Sequence, residues 1–89
     1  MSGGEDRLML RRAAVLQLDA AFPAGLSPSV VLEGLRLSGF ECNLRELGRE
    51  LEYLRQKGLV ELRPSRISPS SVRASLTCEG ADYLESGEF

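Results

Sequence analysis

The segment NLRELGRELEYLRQKGLVEL, residues 43–62, constrains the fold of this 89-residue chain more than any other stretch. It opens with Asn43, and Glu46 follows three residues later. This spacing has the form of a capping box, in which each side chain accepts a hydrogen bond from the other residue's backbone N–H. We therefore predict that a helix begins at residue 44 and runs to residue 57.

Leucines recur along this predicted helix at spacings of three and four residues. Such spacing puts them on one face of a 3.6-residue repeat, and we expect that face to be buried. The four leucines are Leu44, Leu47, Leu51 and Leu54. Gly58 can adopt the left-handed conformation that closes a helix, so the residues that follow it, 59–62, are predicted to start a strand.

A loop and a second strand follow. The loop RPSRISPSS contains two prolines and four serines, which disfavour regular strand pairing. The next segment, VRASLT, alternates apolar and polar residues with the period of two that is typical of a strand with one buried face. The order of helix, strand, loop and strand is typical of a winged helix-turn-helix.

The rest of the chain adds three helices. Residues 5–22 lack Gly and Pro and form a predicted first helix. Ser27 with Pro28 is a good start for a second helix, which we expect to close at Gly39. Thr77 is a candidate cap for a short last helix over residues 78–86.

The predicted fold is therefore mainly α with a small β-hairpin, in the order α-α-α-β-β-α, with an extra short strand possible near Leu26. We expect one winged-helix domain over residues 7–86. Residues 1–6 and 87–89 are predicted to be terminal tails.

Composition excludes several classes of function. The chain has no histidine, and its only cysteines, Cys42 and Cys78, are not paired in a CxxC motif. A closed zinc site needs about four Cys or His ligands, and no residue has an adjacent base that would make it a nucleophile. We predict no metal, no cofactor and no enzyme activity. Apolar runs are too short for a membrane span and no signal peptide is visible, so we expect a cytoplasmic protein.

The net charge of −2 is unevenly distributed. Residues 43–76 hold seven basic against four acidic residues, a net charge of +3, whereas residues 77–89 hold four acids and no base. The positive segment coincides with the predicted helix, strands and wing. A positive surface of this kind favours an anionic partner such as nucleic acid.

Two runs of residues resemble a known family. The run ELEYLRQKGLVEL, a leucine-spaced helix that ends in Gly-Leu-Val, and the later SLTCEGADYL are similar to winged-helix regulators of the multiple-antibiotic-resistance (MarR) and arsenic-repressor (ArsR) types. More narrowly, the chain resembles small uncharacterised winged-helix proteins of Mu-like phages and prophages. The resemblance implies a regulator that binds double-stranded DNA.

The resemblance also implies where DNA would contact the chain. The helix over residues 44–57 would enter the major groove, and the wing over residues 63–73 would contact the backbone or minor groove. At ~100° per residue, four side chains face away from the leucines: Arg45, Arg49, Tyr53 and Gln56. Arg49 is the first choice for a base contact, because a guanidinium can pair bidentately with guanine. The wing contributes Arg63, Arg66 and Arg73 as candidate contacts to phosphates or to the minor groove.

The charged residues of this helix also fit a solvated surface crossed by salt bridges. Arg49 and Arg55 have glutamates three residues away, a spacing that allows ion pairs along a helix in place of contacts with DNA. Three glutamates on the same helix count against DNA, since each would have to avoid phosphates or be neutralised. Tyr53 is as well explained by packing as by a groove contact.

Two functions of different class therefore fit the sequence. The first is a DNA-binding transcriptional regulator, and the second is a non-enzymatic protein–protein interaction module whose arginines meet an acidic partner. The resemblance further implies a homodimer formed through terminal helices.

Overall fold

The computed structural model describes residues 3–64 and 72–86. Four helices surround a two-stranded antiparallel hairpin, which confirms the predicted winged-helix architecture. In chain order the elements are α1 (Gly3–Ala21), α2 (Pro28–Leu37), α3 (Leu44–Gln56), β1 (Val60–Pro64), β2 (Val72–Leu76) and α4 (Cys78–Ser86). Helix α1 begins two residues before the predicted start and includes part of the segment assigned to a tail. The division into one domain and two tails stays a prediction.

Local capping explains where α2 and α3 end. Each helix is followed by a glycine with positive φ, 97° at Gly39 and 80° at Gly58. The backbone N–H of the residue after each glycine donates a hydrogen bond to a carbonyl in the last turn of the helix. Phe40 donates to Leu35 and Leu59 donates to Leu54, both at 3.0 Å. This is the Schellman arrangement, which satisfies carbonyls that the helix leaves free. Because Leu59 is used to close α3, β1 begins at Val60, one residue later than predicted.

The hairpin has a regular register, with Val60 opposite Leu76 and Arg63 opposite Arg73. Its far edge is joined by one residue, Leu26, which exchanges two backbone hydrogen bonds of 2.8 Å with Ala74. The predicted extra strand near Leu26 is thus an isolated bridge. It ties the α1–α2 connection to the middle of β2.

One hydrophobic core joins α1, α2, α3 and the hairpin. Its members are Leu10, Ala14, Val15, Leu18, Val31, Leu32, Leu35, Leu47, Leu51, Leu54, Leu59, Val60, Ala74 and Leu76. Helix α4 attaches at its start through Thr77, whose hydroxyl donates to the Gly58 carbonyl (2.8 Å) and accepts from the Gly80 N–H (2.9 Å). Thr77 is therefore the predicted cap of α4, and it also fixes α4 to the end of α3.

Candidate nucleic-acid interface

The first three residues of α3, Leu44, Arg45 and Glu46, are all exposed. Both halves of the predicted capping box are present: the Glu46 N–H donates to Asn43 Oδ1 and the Asn43 N–H donates to Glu46 Oε1, each at 2.9 Å. The first turn is therefore well defined although it has little packing around it. Arg45 and Arg49 extend from it into solvent.

Leu44 lies outside the core. The sequence predicted that this residue would be buried with the other three leucines of its stripe, and that prediction is wrong, because 48% of Leu44 is exposed. The fourth buried position on α3 is instead occupied by Glu50, which is 7% exposed. The buried face is consequently turned by about 30° from the predicted one, toward α1.

Two arginines of α1 neutralise the buried carboxylate of Glu50. Arg11 Nε donates to Glu50 Oε1 at 2.9 Å, and Arg7 Nε lies 3.7 Å from Oε2. Removing a carboxylate from water is costly unless it is paired and hydrogen-bonded. Because Glu50 is paired with these arginines, it presents no free negative charge on the surface of α3. One of the three glutamates that count against DNA binding in the sequence is therefore neutralised.

Glu52 is also occupied within the protein. It accepts from Arg55 Nε at 2.9 Å and Nη2 at 2.6 Å, and from Gln56 Nε2 at 3.1 Å. The hydrogen bond from Arg55, followed by that from Gln56, lowers the pKa of Glu52 to about 2, and Glu52 raises the pKa of Arg55. The predicted alternative of a salt-bridged surface is thus correct for Arg55.

The amino-terminal half of α3 is different, because neither Arg45 nor Arg49 has an ion pair or hydrogen bond to another side chain within residues 3–64 and 72–86. Glu46 is engaged by the cap, Glu50 by α1 and Glu52 by Arg55. The pairs considered from sequence between Arg49 and its neighbouring glutamates are not formed. Two guanidinium groups are therefore available to an external anion.

Tyr53 lies on the side of α3 that faces α1. The Arg11 guanidinium carbon is 4.1 Å from the centre of its ring and the Lys57 ammonium is 5.6 Å away, both within the range of cation–π contacts. Tyr53 remains 41% exposed. It lines an open groove of about 820 Å³ between α1 and α3 together with Arg49. The structure thus keeps Tyr53 near Arg49 but also gives it a packing role.

The hairpin places two candidate phosphate contacts side by side. Arg63 and Arg73 are directly opposite each other on β1 and β2, and both are exposed. Like charges at paired positions destabilise a hairpin. Only Arg63 is compensated among the described residues, by Glu61 at 3.0 Å. An anion between the two arginines would relieve their repulsion. Arg66 and the tip of the predicted wing lie outside the described residues.

Arg7 and Arg11 support this surface through Glu50, a role that was not predicted from the sequence. Both α1 and α3 contain a sequence pattern that indicates this pairing. Glu50 occurs three residues after Leu47 and four before Leu54, which puts a carboxylate on the apolar stripe. A charge at such a position requires a cation from another element. Arg7 and Arg11, four residues apart on one face of α1, are that cationic partner.

Other kinds of site find no support among the described residues. No three metal-ligating side chains come together there. Cys42 is half-buried and Cys78 exposed, and both thiols are free. Burial, and then the nearby Glu46 carboxylate, raises the pKa of Cys42, while Arg36 partly offsets this shift. No helix in the described ranges is long and apolar enough to cross a membrane.

Solved structures show what this fold is similar to. The apo form of MarR from E. coli matches with a TM-score of 0.72 and 25% identity, over 85% of this chain and 51% of that chain. A mutant of E. coli MarR complexed with operator DNA gives 0.73 and 26%, over 85% and 49%. A probable transcriptional regulator from Pseudomonas aeruginosa gives 0.68 and 19%, over 89% and 54%.

These structural neighbours establish a winged helix of the MarR type. The chain spans about half the length of the structures that it matches. No protein-family model and no curated protein matches the sequence. The narrower resemblance to phage and prophage proteins is not supported by these matches and stays a prediction.

Proposed function

We propose that this protein binds double-stranded DNA as a transcriptional regulator, with α3 in the major groove and the wing over residues 63–73 on the backbone or minor groove. One observation carries the proposal. Each of the three glutamates of α3 accepts a hydrogen bond from a partner inside the chain, whereas Arg45 and Arg49 have no ion pair within residues 3–64 and 72–86. Arginines therefore neutralise two of the three acids, Glu50 and Glu52. Glu46 keeps its charge but is held at the helix cap by the Asn43 N–H.

The position of these arginines supports the same conclusion. Residues in the amino-terminal half of a recognition helix are the ones that reach base edges in helix-turn-helix proteins. Arg45 and Arg49 are the second and sixth residues of α3. The neighbour solved with operator DNA is a MarR mutant of the same fold.

The roles of the other candidates follow from their partners. Arg49 is our first choice for a bidentate contact with guanine, and Arg45 supports it. Gln56 and Tyr53 are weaker candidates, because each already contacts a charged neighbour within the protein. Arg63, Arg66 and Arg73 would contact phosphates, where a point of positive charge is sufficient.

Binding of labelled duplexes, measured by fluorescence anisotropy against salt concentration, tests the proposal. Neutralising about four to six phosphates gives a slope of the log of the binding constant against log salt near −4 to −5. Arg49→Ala should weaken binding about tenfold. Arg55→Ala is the matched control, because it removes the same charge from the same helix but a charge already paired to Glu52; about a twofold loss is expected. No binding to any duplex at low salt rejects the proposal.

A protein–protein interaction module is the second candidate, and exposed apolar residues on α2 favour it. Val30 is 53% and Leu37 85% exposed, and their spacing of seven puts them on one helix face. Charge reversal at Arg49 and Arg66 separates the two functions, because it abolishes duplex binding only in the first. Affinity purification that returns nucleic acid and no protein would reject the second.

A homodimer is compatible with either function. Helix α1 leaves Leu8, Met9 and Leu16 exposed on one side, and these residues would pack against a second copy. Sedimentation at high protein concentration tests this assembly. A single species at the chain mass of 9.7 kDa would reject it.

A further inference from the structure

Leu44 and Gly48 lie one helical turn apart on the exposed surface of α3, and we call this pair of residues the notch. Leu44 is the first residue of the helix and is half-exposed, whereas the other leucines of α3 lie in the core. Single exposed leucines are common and need no explanation on their own. The exposure of Leu44 matters because a glycine, Gly48, follows it one turn later on the same helix.

Gly48 is not required by the packing or the backbone conformation of the part of the chain that the structure describes. A methyl group at this position would meet no atom of another described element within 4 Å, and the φ of Gly48 is not positive. Glycine inside a helix is destabilising compared with alanine. The molecule therefore tolerates this cost although neither internal packing nor backbone conformation demands a glycine here.

Gly48 also leaves the helix backbone bare one turn after Leu44. Helical side chains lean toward the amino terminus, so a side chain at residue i+4 lies back over residue i. With hydrogen at residue 48, nothing from that position covers Leu44. The pair presents an apolar side chain beside bare helix backbone, and a partner can approach both closely.

The surroundings of the notch select the kind of partner. Arg45 and Arg49 both lie on one side of it, each about 100° around the helix from the preceding member of the pair. Neither has an acidic partner among the described residues. A partner must therefore offer an apolar group next to anionic or acceptor groups. The major groove of DNA offers this combination, since the thymine methyl is its apolar feature and guanine supplies two acceptors to an arginine.

We propose that the notch formed by Leu44 and Gly48 reads a thymine methyl group, next to a guanine contacted by Arg45 or Arg49. The inference rests on the proposed DNA-binding function and makes it specific. Leu44 supplies the apolar contact. Gly48 allows the base edge to come close to the helix.

Replacement of thymine by deoxyuridine tests the notch, because it removes only the methyl group. A preferred duplex is first selected from a random pool with the wild-type protein, and each thymine is then replaced in turn. Loss of one buried methyl should weaken binding about fourfold at one position of each site. In Leu44→Ala the same replacement should have no effect. Leu37→Ala, which truncates an exposed leucine on α2, is the matched control and should retain the full difference.

Gly48→Ala tests the close approach separately. The variant should unfold at an equal or higher denaturant concentration than wild type, because alanine favours the helix and meets no neighbour. Its affinity for the selected duplex should nevertheless fall, and the difference between thymine and deoxyuridine should shrink. Wild-type affinity in Gly48→Ala would overturn the role of the glycine.

The outcomes distinguish this inference from the proposed function. If wild type binds duplexes but no thymine is sensitive, or the sensitivity survives Leu44→Ala, the notch is rejected and DNA binding stands. If wild type binds no duplex at low salt, both are rejected. A fourfold effect at one thymine that disappears only in Leu44→Ala supports the notch.

Discussion

Two ion pairs of α3 share the same chemistry and differ in their surroundings. Arg11 and Glu50 are 39 residues apart, join two helices, and have side chains that are 19% and 9% exposed. Arg55 and Glu52 are one turn apart on one helix and are 47% and 45% exposed, although their contact of 2.6 Å is the shorter one. The shorter contact is the less important for stability, because desolvation and connectivity decide what a pair contributes.

The two ion pairs also have different roles. The Arg11–Glu50 pair determines how α3 sits against α1, and it fixes the helix side on which Arg45 and Arg49 are exposed. The Arg55–Glu52 pair only cancels charge on the surface of α3. Helix α3 is therefore positioned by the Arg11–Glu50 pair, whereas the Arg55–Glu52 pair changes only its surface charge.

Removing the buried cation should have the largest effect. Arg11→Ala leaves the Glu50 carboxylate with only the more distant and exposed Arg7, and it also removes the contact with Tyr53. We expect the free energy of unfolding to fall by about 3 kcal/mol, measured by urea denaturation. Arg12→Ala, one residue along on the exposed side of α1, is the control and should change it by less than about 0.5 kcal/mol. Equal effects would contradict the assigned role of Arg11.

Replacing both partners of the buried pair should have a smaller effect. In Arg11→Met with Glu50→Leu no charge is left unpaired, and methionine can keep an apolar contact with the Tyr53 ring. We expect the double variant to unfold within about 1 kcal/mol of wild type. A double variant as unstable as Arg11→Ala would show that the lost packing, and not the unpaired carboxylate, causes the destabilisation.

The effect of the exposed Arg55–Glu52 pair should be detected mainly through the pKa of Glu52. Because the folded-state pKa of Glu52 is about 2, below its ordinary 4.5, the pair contributes fully above pH 4.5 and is lost as the pH falls toward 2. NMR titration of the Glu52 carboxyl carbon measures this midpoint. In Arg55→Ala the midpoint should rise toward 4.5, and the accompanying loss of stability should be present at neutral pH and disappear as the pH falls toward 2. An unchanged midpoint would remove Arg55 as the main cause.

Local features of this fold could be predicted from sequence, and long-range features could not. The capping box at Asn43, the closing glycines and the start of α4 depend on residues within one turn of each other, so their spacing determines them. The partner of Glu50 is 39 residues away. Helical spacing indicates that Glu50 faces the core, but it does not identify which helix supplies the cation.

The same limit explains the exposure of Leu44. A period of ~3.6 residues assigns a face to each leucine of α3, but it does not show how far along the helix the neighbouring elements extend. The first turn is held by its cap and has little packing around it, so its leucine remains in solvent. The candidate DNA residues are exposed as expected where the structure describes them, and their roles stay predictions.

The pair between Arg11 and Glu50 also restricts how this sequence can evolve. A substitution at either position alone leaves a charge in the protein interior, so a lineage that loses one partner soon needs to lose or replace the other. The two positions should therefore vary together among relatives, either as an oppositely charged pair or as two apolar residues. Mixed combinations should be rare.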